Sequence, residues 1–170
     1  MKKTIKIKGK IKFDPEDKTK KHSKQGSWKK VAMILFDGDI AEYYAWFINK
    51  RYNIPLNRPL RGAHITFIND RESDMNGKWN EVKESWDGKE IEVVLNIDPR
   101  TDSSDDKSKG HWWLNIPEEN RRELHDLRAE LGLGRPHWGL HMALGYANDK
   151  NIMHSKYIHR LIINGYIKLN

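Results

Sequence analysis

The order of residue patterns in this chain repeats itself, and that repeat limits what it can fold into more than any other feature. Thr4 to Phe13 alternates strictly, with Ile5, Ile7, Ile11 and Phe13 on one parity and Lys6, Lys8, Lys10 and Lys12 on the other. A period of two is the signature of a strand with one buried face, here opposite a lysine face. Val31 to Phe36 is a continuous apolar run and reads as a buried strand. A helix is expected over 40–51, capped by Asp39 with Glu42 three residues on, and with Ile40, Tyr43, Tyr44, Phe47, Ile48 and Arg51 at helical spacing for packing on a sheet. Pro55 and Pro59 end it, and Ala63 to Ile68 is strand-like again. The second half answers in the same order, with strand 91–97, strand 111–116, helix 118–131 and strand 139–146. Pro117 suits the first position of that second helix, Leu124, Leu127 and Leu131 form its apolar stripe, and Gly132 is its stop.

Between these elements the reading is plainer. Residues 14–30 form a polar loop, residues 70–89 a polar stretch anchored by Trp79 and Trp86, and residues 98–110 a charged loop. Tyr157 to Leu169 splits at Asn164-Gly165, the common signal of a tight hairpin. The chain therefore reads as one α+β domain over 1–170, with lobe one about 1–89 and lobe two about 90–170. The two lobes are expected to be pseudo-symmetric, each of antiparallel sheet plus helices, with the fourth strands meeting beside a central cleft.

Composition excludes several classes of function. The chain has no cysteine, so disulfides, thiolate metal sites and cysteine nucleophiles are absent. No apolar run approaches the roughly 20 residues of a membrane span. The lysine-rich start lacks the apolar segment of a signal peptide. A soluble protein of the cytoplasm, with no membrane partner, is the expectation. The net charge of +7 is uneven. Residues 1–30 carry twelve Lys against three acids, a net +9, while the remainder carries nineteen basic and twenty-one acidic side chains, a net −2. A broadly basic nucleic-acid-binding body is not indicated; one basic segment can meet a phosphate-bearing partner, or it is a solubilising edge.

The residues at equivalent places in the two fourth strands carry the chemistry. In the first, Arg61-Gly62-Ala63-His64-Ile65-Thr66 puts His64 and Thr66 on one face; in the second, Gly139-Leu140-His141-Met142-Ala143 does the same for His141 and Ala143. Two imidazoles facing one cleft suit phosphodiester cleavage without a metal. A neutral ring takes a proton from the attacking hydroxyl or water, and a protonated ring gives one to the leaving oxygen. Thr66 can donate to a phosphate oxygen. Arg61 can meet a phosphate or lie at the surface. Trp112 and Trp113 face opposite sides of their strand, so one is core and Trp113 is a candidate for the cleft, where aromatic rings suit nucleobases. A single His-x-Thr in a strand is more often structural, and it is the pairing that raises it. His137 and His141 share the i, i+4 spacing of a helical zinc pair, but Pro136 and Gly139 argue against a helix there, so no metal or other cofactor is expected. His22, His111, His125, His154 and His159 have no spacing that demands chemistry, and Tyr43, Tyr44 and Phe47 read as packing.

The His-x-Thr strand, the second His-centred strand and the duplicated order together resemble the 2H phosphoesterase superfamily, which includes LigT-like RNA ligases and cyclic phosphodiesterases. The resemblance implies a two-lobed fold and a hydrolase in which His64 and His141 are the acid/base pair and Thr66 orients the phosphate. His141 matches the second family motif, but Ala143 stands where that family has Thr or Ser, removing a phosphate contact worth on the order of 1 kcal/mol. Lys20-Lys21-His22-Ser23 followed by Arg61 to Asp70 is similar to the phage anti-CBASS phosphodiesterases, which degrade cyclic oligonucleotide signals of bacterial immunity. A cyclic nucleotide or cyclic oligonucleotide is then the implied substrate, acted on in the host cytoplasm if the chain is phage-encoded. RNA 2′,3′-cyclic ends or 2′,5′ linkages are the alternative, and a nucleotide-binding module without turnover, motivated by Ala143, is another.

Overall fold

Strand β1 (Thr4–Phe13) buries Gly9, Ile11 and Phe13 and turns its lysines outward, as the alternation requires. This computed structural model describes residues 3–16, 28–59, 61–101 and 110–147. The expected hairpin at Asn164-Gly165, the Lys20-Lys21-His22-Ser23 segment, most of the loop 98–110 and His154 and His159 lie outside the described residues.

Six further strands complete the sheet: β2 (Ala32–Leu35), β3 (His64–Ile68), β4 (Glu90–Asn96), β5 (Arg100–Thr101), β6 (His111–Asn115) and β7 (His141–Tyr146). The helices are α1 (Gly38–Tyr52), α2 (Trp79–Trp86) and α3 (Arg122–Glu130). The chain is thus α+β, a seven-stranded sheet of antiparallel pairs in the order β4-β1-β2-β3-β7-β6-β5. β4 and β6 touch although four strands separate them, so the sheet curls. Its inner face packs Ile34, Ile65, Phe67, Met142 and Leu144 against Ile48 of α1 and Leu124 and Leu127 of α3 in one core. Each such side chain contributes about 1.5–3 kcal/mol by burial.

β3 and β7 meet at the centre of the sheet through a single residue pair, His64 opposite Ala143. One departure concerns β4, the strand expected to open the second half. It pairs with β1 over Thr4 to Lys10, at the far edge of the first half's sheet. The sheet is therefore four strands and three strands joined at one point. β1 passes from β4 to β2 at Lys10, where Gly9 lies so close to Ile34 and Phe36 that a Cβ would have no room.

Other boundaries move for local reasons. Asp37 rather than Asp39 holds the N-cap position of α1, without a side-chain hydrogen bond, and Asp39 falls in the first turn. The helix ends at Asn53 in a left-handed conformation two residues before Pro55. Pro117 precedes a short 3-10 turn (Glu118–Asn120), and α3 begins only at Arg122. The stretch 70–89 contains α2, whose Trp79 and Val82 are buried and whose Trp79 packs on Phe13 at 4.9 Å. β5 was hidden in the charged loop. Tyr44 is buried and donates its hydroxyl to the Ile97 carbonyl at 2.9 Å, whereas Tyr43 is 55% exposed rather than packed away. Among the described residues no helix is long and apolar enough to cross a membrane.

Candidate active site

His64 opens β3 and His141 opens β7, and the turn before each strand treats them alike. The Nδ1 of His64 lies 2.8 Å from the Gly62 carbonyl oxygen, and the Nδ1 of His141 lies 2.6 Å from the Gly139 carbonyl oxygen. A carbonyl can only accept, so in both rings Nδ1 carries the hydrogen and Nε2 is left to take or give a proton. Gly62 has φ +71, a left-handed turn that brings its carbonyl back toward the strand it precedes.

Both rings line one cavity of about 390 Å³, together with Thr66, Arg61, Ala143 and Trp113. The six residues singled out in the sequence are therefore gathered at one place. Ala143 lies directly across from His64 in the sheet. Thr66 is on the His64 face of β3, where its carbonyl accepts the Trp138 indole N–H at 3.3 Å in place of a strand partner from β7. The strands are tied at His64 and held apart beyond it, which opens the cavity between them. Trp113 packs on the His141 ring at 5.7 Å and is steadied by donating Nε1 to the Asn115 side chain at 3.0 Å. Arg61 stacks its guanidinium 4.3 Å above the Trp28 ring, a cation–π contact that holds the charge at the cavity.

Electrostatics push both imidazoles the same way. Burial lowers the pKa of His64; the Gly62 carbonyl opposes this, and the charges of His141 and Arg61 add to it. Burial likewise lowers that of His141, opposed by the Gly139 carbonyl and reinforced by His111 and Arg121. The charge of His141 is thus among the influences on His64.

Several lining residues escaped the sequence reading. Trp28, Trp138, His111 and Tyr146 all face this cavity. His111 and Tyr146 pack ring to ring at 6.3 Å on neighbouring strands. Segment 57–59 closes one end, because Asn57 and Tyr146 exchange backbone hydrogen bonds of 2.8 and 3.1 Å. That approach needs Gly145, whose φ is +152 and whose Cβ would press on the Asn57 carbonyl. The repeated Gly-x-His of Gly62 and Gly139 was the available signal for the carbonyl clamps. His137 sits in the loop before β7 and not on a helix with His141, and no group of three metal-ligating side chains gathers among the described residues.

Behind the site, Arg128 of α3 is 1% exposed. It donates to the Phe67 carbonyl at 2.8 Å, to the Gly134 carbonyl at 2.8 Å and to both Asp70 oxygens at 2.7 and 3.1 Å. Its guanidinium also lies 5.6 Å from the Trp138 ring. One buried side chain thus ties the end of β3 to the loop that leads into β7.

In comparisons with known proteins, no family model, no curated protein and no solved structure matches the chain.

Proposed function

We propose that this protein is a 2H-type phosphodiesterase that cleaves a cyclic nucleotide or cyclic oligonucleotide without a metal, by a two-histidine acid/base mechanism. The observation that carries the proposal is the matched pair of carbonyl-clamped imidazoles, each with Nε2 available, on the walls of one cavity.

In the reaction one neutral ring accepts, at Nε2, the proton of the attacking hydroxyl or water as the new O–P bond forms. The other ring, protonated, delivers its Nε2 proton to the leaving oxygen as the old P–O bond breaks. The first ring ends protonated and the second neutral, and exchange with solvent restores them. Thr66 supplies a hydroxyl donor to a non-bridging phosphate oxygen, and Arg61 supplies positive charge on the same side. In the free protein both imidazoles favour the neutral form. An arriving phosphodiester brings negative charge, which favours protonating one of them. Trp28, Trp113 and Trp138 offer apolar walls on which a base can stack, each stack being worth about 1–3 kcal/mol.

Ala143 favours a second reading, a binder that holds its nucleotide unchanged, because the position opposite His64 has no hydroxyl to share the phosphate. Product analysis in EDTA separates the two. The panel is cyclic di- and trinucleotides and RNAs ending in 2′,3′-cyclic phosphate, given to the protein and to its His64→Ala and His141→Ala variants. Turnover of one class, reduced about 10²- to 10⁴-fold by either substitution, is the expected result. Tight binding of one class with no turnover supports the binder instead. Turnover that survives both substitutions overturns the mechanism.

A further inference from the structure

We propose that the open face of the sheet holds a second phosphate subsite at Lys10, so that the ligand of this cavity is an oligonucleotide with at least two phosphodiester groups, an inference that rests on His64 and His141 engaging the first.

The geometry is a single register row. Lys10, Leu35, His64, Ala143, Trp113 and Arg100 are successive cross-strand partners from β1 to β5. Side chains directly opposite one another point to the same face, so the six share the face that carries the cavity. Lys10 and Arg100 are exposed, and the four residues between them are half-buried. Their strand neighbours Ile11, Ile34, Ile65 and Met142 are fully buried on the other side. Nothing in this row is sealed from solvent, and it runs from the cavity to a cation.

Lys10 also differs from its neighbours on β1 in its ion pairing. Lys6 pairs with Glu92 at 3.3 Å, Lys8 with Glu90 at 2.9 Å and Lys12 with Asp87 at 3.3 Å. Glu90 is the cross-strand partner of Lys10, yet its carboxylate is taken diagonally by Lys8. Among the described residues Lys10 has no carboxylate within ion-pair distance. Of the four lysines on this face of β1, it is the one in the His64 row that is left for an anion.

Two strand spacings, about 10 Å between backbones, separate Lys10 from His64. A lysine side chain is long and flexible enough to span part of that gap. A group held at His64 and one held at Lys10 are then separate phosphates of one ligand, and a mononucleotide with a single phosphate does not occupy both. Leu35, apolar and half-buried between them, suits the sugar or base that connects the two.

Binding tests this without requiring turnover. Tryptophan fluorescence of the full chain would be titrated with 2′,3′-cyclic AMP, cyclic di-AMP, linear ApApA and adenosine 3′,5′-bisphosphate, at several salt concentrations, for the protein and Lys10→Gln. The expected result is an affinity loss of about fivefold to tenfold for cyclic di-AMP or ApApA. A decrease of roughly one in the salt slope should accompany it, with no change for 2′,3′-cyclic AMP. A loss confined to the bisphosphate assigns Lys10 to a terminal monoester and overturns the oligonucleotide proposal. Equal losses for all probes, no loss, or no binding of either two-diester probe overturns it as well. Turnover in the EDTA panel decides the acid/base reading separately, and the Lys10 result stands or falls by binding.

Discussion

Two glycine carbonyls decide what His64 and His141 can do, because each fixes its ring's tautomer before any substrate arrives. The histidines themselves were legible in the sequence, since strand alternation and equivalent placement suffice to pair them. The clamps were only hinted at by the repeated Gly-x-His, because they depend on how the chain turns at Gly62 and Gly139, which spacing alone does not give. Trp28 was illegible for a similar reason. It meets Arg61 across 33 positions of chain, and no local pattern announces such a contact. Ala143 is the sharpest point of test among single residues. It is half-buried, lines the cavity and stands opposite His64, so a threonine there would present its hydroxyl to the cavity. Ala143→Thr is expected to raise kcat about fivefold, the worth of one hydrogen bond of roughly 1 kcal/mol. Steady-state kinetics on the preferred substrate measures this, and an unchanged or lower kcat would mean that the position does not meet the transferred phosphate.

Elements reveal a different limit of the sequence. β1, β2, β3, β6 and β7 were readable because each carries an alternating or continuous apolar pattern matched by burial in the structure. α2 was not, since eight mostly polar residues hold only two buried side chains and tertiary contact with Phe13 supplies what periodicity lacks. Arg128 was also invisible: an arginine in a charged helix gives no sign that it will be the buried tie between α3, β3 and the loop before β7. Burial alone would raise the pKa of Asp70, but the Arg128 hydrogen bonds and charge outweigh it and hold the carboxyl below its ordinary range. Arg128→Ala leaves that carboxylate and two carbonyls without their partner and is expected to destabilise the fold by about 3–5 kcal/mol. Arg128→Lys is expected to recover little, since an ammonium cannot reproduce the two-pronged contact. Urea unfolding midpoints check both; a loss below about 1 kcal/mol for alanine would show that the tie is not structural.

At the scale of the whole molecule, the sheet is four strands and three strands joined through His64 and Ala143, and the candidate site lies at that join. The sequence repeat anticipated that the two histidine strands would meet, because equivalent elements in two halves tend to pack about a common centre. It misplaced β4, because alternation specifies which face a strand buries and says nothing of which strand it pairs with. The join brings the two histidines onto one cavity, and neither half contains it alone. The pH dependence of kcat/KM therefore tests the account most directly, since it reports the acid and the base of the free protein. The acid must hold its proton, and its lowered pKa means that activity falls as pH rises through it. The base must be free of its proton, and its lowered pKa moves the acidic limb down as well. With both imidazoles below the ordinary value of 6.5, the account predicts a bell centred below about pH 6.5, with one limb lost in whichever histidine variant retains measurable rate. A flat profile, or an optimum at alkaline pH that both His64→Ala and His141→Ala preserve, would contradict it.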